Sequence, residues 1–323
     1  MRVIDVLFPV AQGQRELVIG DRQTGKSSIL AGASLAFTFR NFSVGSRKCI
    51  LTFFANVGQR ISSSTRLFSF LTFNFLNTNS SILVAGVTSA MSAQYLGPLA
   101  CTTLSEIYRN IGFHNYVGYD DFSKHAIAYR QLCLFLGKPA GREAFPSDIF
   151  FLHARILERS CCLSGFLGLG SLLCLPVIET LSNDLSAYIA TNVISITDGQ
   201  LYLDVGLFGL SQCPAVSIEK SVSRVGAKSL DNFFRQLSFR IYTLIADFKQ
   251  EVDLAVKSEA FKLREHRYSR LISMFVQRSS NDRWLNTGYL GAVVSGNLDS
   301  ISTDLIHLFS LAFYFLINSS YPI

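Results

Sequence analysis

Charge is scarce in this chain. Only 16% of its 323 residues are Asp, Glu, Lys or Arg, and the net charge is a mild +6. The basic residues are dispersed, apart from a denser stretch at 257–270. There Glu259 and Glu265 alternate with them, the pattern of a solvated helix face. No nucleic-acid partner is expected on this basis. Paired cysteines are also missing. The seven Cys form no CxxC pair, show no zinc-type spacing with His, and have apolar neighbours. Buried free thiols in a reducing compartment are predicted. Long clean apolar runs are absent too. The charge-free stretch between Arg66 and Glu106 is broken by Asn74, Asn77, Asn79, Gln94, Gly97 and Pro98. The one between Arg159 and Glu179 is broken by Ser164, Gly165, Gly168, Gly170 and Ser171. A spanning helix needs about 20 mostly apolar residues. Both stretches therefore read as buried strands and loops, and the apolar run 308–317 is too short to span. There is no internal repeat or low-complexity tract. Met1-Arg2-Val3-Ile4 has the pattern of neither a secretion signal nor a transit peptide.

What is present is enough apolar material for a full core and two domains: 49% of residues are hydrophobic, and 27 are Phe. One motif organises the rest. Gly20-Asp21-Arg22-Gln23-Thr24-Gly25-Lys26-Ser27 is a phosphate-loop pattern, preceded by the apolar strand Leu17-Val18-Ile19 and followed by a helix start at Ser28-Ile29-Leu30. Loop N–H groups and a helix N-terminus suit phosphate oxygens. Lys26 would neutralise the outer phosphates, and the Ser27 hydroxyl would ligate Mg²⁺.

Strand and helix then alternate. Residues 6–14 read as a lead-in and turn. Strands are expected at 48–54, 81–86, 116–121, 172–178, 193–196 and 201–203. Helices are expected at 61–76, 102–111, 123–136 and 149–162. This alternation predicts an α/β fold, a phosphate-loop (RecA-like) domain with a parallel sheet covered on both faces. Beyond residue 230 the pattern becomes charged and helical, with almost no Gly or Pro. The expected domains are 1–230, nucleotide-binding, and 231–323, helical. Asp120 ends an apolar strand where a second Mg²⁺ carboxylate, acting through water, belongs. Asp121 reads as a cap for the helix that follows.

Taken together, Gly20 to Ser27, Val57-Gly58-Gln59, Tyr119-Asp120-Asp121-Phe122-Ser123-Lys124 and Ala128-Tyr129-Arg130-Gln131 resemble the alpha subunits of F-type ATP synthases. So do Gly141-Arg142-Glu143-Ala144, Leu157-Glu158-Arg159, Pro176-Val177-Ile178-Glu179-Thr180, residues 191–200 and Ser221-Val222-Ser223-Arg224-Val225-Gly226. The resemblance covers most of residues 4–230 and is thin beyond. It implies a subunit of a hexameric ring in which alpha and beta alternate, holding Mg²⁺ with ATP or ADP without hydrolysing it. In beta the position of Gln59 is a Glu that orients water, and a neutral amide is a poor base. Arg224 matches an arginine finger directed at a beta neighbour's phosphates, with Ser221 helping to position its loop; Glu179 lies near the phosphate water shell or in an ion pair. Further implied partners are the central and peripheral stalks and a separate chain carrying the family's N-terminal β-barrel, which has no counterpart here; a split or truncated subunit is expected. Membrane association would come only through the complex, on the matrix side of the mitochondrial inner membrane or at a bacterial or plastid membrane. The Phe content suits an organelle-encoded gene.

The departures are specific. Cys213 precedes Pro214 where the family has Arg at the adenine pocket, which removes a cation able to stack on the base. Glu219 and Lys220 change segment 216–220, and Ile189-Ala190 replaces a proline-containing turn. A rival reading, a hexameric terminator-type nucleic-acid motor, needs a binding module and a catalytic Glu near position 59; neither is present. A degenerate structural subunit with an empty site is opposed by Lys26, Ser27 and Asp120.

Overall fold

The computed structural model describes residues 1–44, 50–73, 80–253, 259–276, 290–296 and 299. Its elements in order are α1 (Arg2–Leu7), β1 (Glu16–Gly20), α2 (Lys26–Val44), β2 (Ile50–Val57), α3 (Ile61–Phe73), β3 (Ser80–Ala85), α4 (Met91–Ile111), β4 (His114–Asp120) and α5 (Phe122–Phe135). There follow α6 (Ile149–Leu157), β5 (Ser171–Glu179), α7 (Tyr188–Ile196), β6 (Gly199–Leu203), α8 (Val205–Gly209), β7 (Val222–Ser223), α9 (Asn232–Asp253) and α10 (Glu259–Phe275).

The strands form one sheet in the order β3-β2-β4-β5-β1-β6-β7. All pairings are parallel except β6 with β7. Strands buried on both faces read as continuous apolar runs, which is how Leu17-Val18-Ile19 and Leu172 to Ile178 were legible as sheet interior. Leu17, Ile19, Val117, Tyr119, Leu172, Cys174 and Tyr202 are all at or near full burial in one core. The parallel register brings strand ends level: Asn56 pairs with Asp120, and Gly20 with both Glu179 and Leu203. The segments leaving the carboxyl ends of the parallel strands β1 to β6 therefore emerge on one rim, where α/β sheets bind ligands.

The chain divides into two compact units. One comprises residues 10–207 and 215–225 and contains the sheet. The other comprises 1–9, 208–214 and residues from 226 on. In the latter, Phe8 meets Tyr242 edge-on, and the Tyr242 hydroxyl donates to Leu7 O at 3.2 Å. Phe248 stacks on Tyr268 at 4.3 Å, joining α9 to α10.

Several expectations change. Residues 193–196 are helix, not strand. The β-branched run Val-Ile-Ser-Ile suggests a strand, but Ile189, Ala190, Val193 and Ile196 are buried at helical spacing on α7. The lead-in at 6–10 is partly helix: Val3, Val6 and Leu7 face inward from α1. The first charge-free stretch is not strands and loops throughout, since α4 begins at Met91 and runs through Pro98. Its buried stripe is mostly polar (Gln94, Thr102, Ser105, Arg109), so hydrophobic periodicity could not disclose it. Helix α6 stops at Leu157, short of 162. Cys101, Cys133 and Cys174 are buried as expected, but Cys162 and Cys213 are exposed and Cys161 is half-buried, all three lying outside the named helices and strands. Cys49, residues 74–76 of the third helix and the run 308–317 lie outside the described residues. Among the described residues, no helix is long and apolar enough to cross a membrane.

Candidate functional site

The carboxyl rim gathers the site. β1 ends at Gly20, where an added Cβ would lie 2.8 Å from Leu203 O on the adjacent strand, so only glycine lets the chain leave the sheet here. The loop then turns through left-handed backbone at Gln23 (φ 63°) and Gly25 (φ 91°) into α2. The N–H groups of Gln23, Thr24 and Gly25 donate to no described residue, which leaves an open set of donors at a helix start. The Lys26 side chain is buried and folds back over the loop. Its ammonium donates to Gly20 O at 2.9 Å and to Asp21 O. Burial lowers the Lys26 pKa, opposed by Glu179, Asp121, Asp120 and Asp21. The neighbouring carboxylates counter, without cancelling, the effect of burial on the Lys26 ammonium.

Ser27 and Asp120, the two residues expected to hold Mg²⁺, lie side by side. The Ser27 hydroxyl donates to Asp120 Oδ2 at 2.7 Å. Gln59 Nε2 donates to the other oxygen, Oδ1, at 3.0 Å. Gln59 can reach because Gly58 turns the chain at φ 61°, and a Cβ there would strike Lys124 Cβ at 2.8 Å. Burial raises the Asp120 pKa, against the hydrogen bonds from Ser27 and Gln59 and the charge of Lys26. A hydroxyl and one carboxylate fit Mg²⁺, which takes few protein ligands and completes its shell with water and phosphate. Among the described residues no three His, Cys, Asp or Glu cluster as a metal site.

Asp121 caps α5, accepting from Lys124 N at 2.6 Å. Its burial pushes the carboxyl up to about 7. Glu179, at the end of β5, is held by Lys124 Nζ at 3.1 Å and Arg22 Nε at 3.3 Å. Burial favours its neutral form, but Lys124 and the charges of Arg22 and Lys26 hold its pKa below the ordinary value. The ion-pair alternative for Glu179 is thus realised. Three participants escaped the sequence reading. Lys124 was quoted only within a motif, although its position three residues after a capping Asp was a usable signal. Thr180, like Lys124 named only within a motif, and Asn183 hold the Asp21 carboxylate, at 2.6 and 3.0 Å, across some 160 residues, a pairing that no local pattern announces.

Pro214 is half-buried in segment 208–214, which clusters with the other compact unit. Ser221 is buried; its hydroxyl accepts from Tyr202 N at 2.9 Å and donates to Ser217 O at 2.6 Å, pinning the chain beside β6. Arg224 follows β7, is exposed, and makes no ion pair with any described residue; its N–H donates to Asp198 O at 3.0 Å. β7 pairs with the start of β6, at Gly199, whereas the phosphate loop leaves beside Leu203 at the end of β6.

Comparison with known proteins agrees with this geometry. A family profile described as the ATP synthase alpha/beta family, nucleotide-binding domain, matches residues 1–223. The mitochondrial ATP synthase subunit alpha of Trypanosoma brucei brucei is 37% identical over 309 residues, covering 95% of this chain and 53% of its own length. The ATP synthase subunit alpha of Ehrlichia ruminantium (strain Gardel) is 38% identical over 331 residues, covering 100% of this chain and 65% of its own. That of Aquifex aeolicus is 37% identical over 330 residues, with 100% and 64% covered. The chain spans between 53% and 65% of the length of these relatives.

Proposed function

Because the chain belongs to the ATP synthase alpha/beta family, we propose that it is an alpha-type subunit of a rotary, proton-translocating ATP synthase that binds Mg-ATP or Mg-ADP without hydrolysing it. The observation that carries this reading is the Gln59 amide bonded to Asp120. Hydrolysis needs a group that takes a proton from, or orients, the attacking water. On this reading the neutral amide stands where such a group would be needed, and one of its N–H groups is given to Asp120, the carboxylate we propose for the metal. The donors of the loop, Lys26, and the Ser27–Asp120 pair would hold the phosphates and Mg²⁺. When bound, the metal neutralises phosphate charge; the chain's own residues bind and orient.

Arg224 stands at the start of β6, away from its own loop, so its cation suits phosphates on a neighbour. Beta subunits on both sides of an alternating ring, the stalk subunits and a barrel-bearing chain are the partners we infer. Residues 231–323 would be the helical domain, with α9 and α10 among its described residues. Relatives include mitochondrial and bacterial subunits; we place the complex at an energy-coupling membrane, on the matrix side if mitochondrial, with this chain peripheral.

The test is nucleotide retention. After desalting, the purified subunit should keep tightly bound nucleotide, hydrolyse ATP negligibly on its own, and lose the nucleotide in Lys26→Ala. Brisk turnover by the isolated chain, or unchanged occupancy in Lys26→Ala, overturns the reading.

A further inference from the structure

Asp21 has two faces that the phosphate loop alone does not explain. Its backbone carbonyl belongs to the loop, accepting from Thr24 Oγ1 at 2.8 Å and from the Lys26 ammonium. Its carboxylate belongs to a distant turn. Oδ1 accepts from Thr180 Oγ1 at 2.6 Å and from the Asn183 N–H at 3.0 Å; Oδ2 receives the same N–H at 3.1 Å. The neighbouring backbone repeats the link, since Thr180 N donates to Gly20 O at 3.1 Å.

The turn so held is an unusual one. Ser182 and Asn183 both adopt left-handed backbone, at φ 53° and 60°, with Asp184 N closing on Leu181 O at 3.1 Å. Consecutive left-handed residues that are not glycine persist only where surroundings impose them. Here the imposing group is the Asp21 carboxylate, which needs the Asn183 N–H turned toward it. The turn is otherwise exposed, with Leu181 at 71% of its free surface. Downstream it is anchored, because Arg142 Nη2 donates to Ser186 O and Glu143 Oε1 accepts from Tyr188 N at the start of α7.

Lys26 supplies the trigger. Its ammonium spends its hydrogen bonds on two neutral carbonyls, those of Gly20 and Asp21. Phosphate oxygens are stronger acceptors for a cation. A polyphosphate in the loop would draw the ammonium off, and the peptide that carries the Asp21 carboxylate would lose one of its holds.

We propose that Asp21 is a positioning residue joining the phosphate loop to the 181–184 turn, so that the shape of this exposed turn reports whether a polyphosphate is bound. The idea rests on the reading of the loop as a nucleotide site. Its natural reporter is the Asn183 amide, whose exchange with solvent depends on the bond to Asp21. Hydrogen exchange of residues 181–187 in the full chain, with and without Mg-ATP, should show a nucleotide-dependent change of about threefold or more. In Asp21→Ala that dependence should vanish even at Mg-ATP concentrations at which equilibrium dialysis shows the site to be filled. A purely architectural Asp21 would alter basal exchange but leave the nucleotide dependence intact, which overturns the proposal. Asp21→Asn, which keeps one acceptor oxygen, gives a folded second variant and should retain part of the response. Nucleotide bound by the unsubstituted chain with no change at 181–187 defeats this inference alone; no nucleotide bound at all defeats the nucleotide-site reading and this inference with it.

Discussion

Single residues on this rim differ in how much the sequence disclosed. Lys26, Ser27, Gln59 and Asp120 were legible because each ends or follows an apolar strand, and a parallel sheet brings such ends together. The partners of Asp21 were not, since a hydrogen bond across 160 residues leaves no local pattern. Glu16 was equally silent. Within the apolar β1 its one carboxyl is fully buried; Oε2 accepts from Gln14 Nε2 at 2.7 Å and Oε1 meets no donor among the described residues. Burial, then the charge of Asp198, raises its pKa from 4.5 to about 8. The unfolded chain releases this proton near pH 4.5, whereas the folded one keeps it until about 8. Stability is therefore full below the first value and falls as pH rises to the second, by about 1.4 kcal/mol per pH unit. Glu16→Gln keeps the shape and removes the titration. Urea unfolding followed by circular dichroism should find the variant more stable than the parent at pH 8 by about 4 kcal/mol. It should be nearly equal to the parent at pH 5. Equal slopes in the two proteins would show that Glu16 is not the proton holder. Asp121, raised to about 7 by the same cause, and Asp120, also raised by burial, contribute to the slope remaining in the variant.

Elements were legible where burial follows a single period. β1, β4 and β5 satisfy that rule and were found; α7 was misread because β-branched residues fill its inward face, and half of α4 was missed because its inward face is polar. Packing among α4, α5 and α6 shows what such faces hide. His125 on α5 and His153 on α6 lie with ring centroids 5.6 Å apart. His153 stacks on Phe122 at 4.9 Å, and His125 lies parallel to Tyr95 of α4 at 5.9 Å. Neither His153 nitrogen has a partner among the described residues; His125 has Tyr95 O at 3.1 Å for Nε2 and none for Nδ1. Burial lowers the His125 pKa to about 4 and that of His153 well below its ordinary value. The unfolded chain takes up these protons from about pH 6.5 downward, so stability is lost as pH falls from there through 4. Glu106, Glu179 and Asp198, whose folded pKa values are depressed, lose their contributions only at lower pH. His153→Phe should fill the same space without a titrating ring and move the acid-unfolding midpoint down by about half a pH unit or more. An acid titration with an unmoved midpoint would mean the pair does not limit acid stability.

For the molecule as a whole, the sheet sets two chemical ends. The phosphate loop, Gln59, Asp120 and Glu179 share the carboxyl rim, while Arg224 leaves from the far end of β6. Four residue steps of strand, about 13 Å, lie between the two pairing positions on β6. The Arg224 backbone is tied to Asp198 O, and the Asp198 carboxylate is in turn forked by Arg15 through Nε at 3.0 Å and Nη2 at 2.7 Å. A cation with a fixed root, an exposed side chain and no ion pair of its own among the described residues is suited to charge brought by another subunit. On the proposed reading that charge is the phosphate of a transition state on a beta neighbour, where such a finger contributes about 10³ to 10⁵ in rate. Arg224→Ala should then cut turnover of the assembled complex by about a thousandfold. Assembly and the nucleotide held beside Lys26 should both survive, because neither depends on this end of the sheet. Arg224→Lys keeps the charge but loses the planar fork, and should fall between the two. Steady-state turnover together with native mass of the complex separates the cases. A complex that assembles and turns over normally with Ala at position 224 removes the finger from the account and leaves the nucleotide site standing, whereas loss of assembly would make Arg224 a structural residue of the interface.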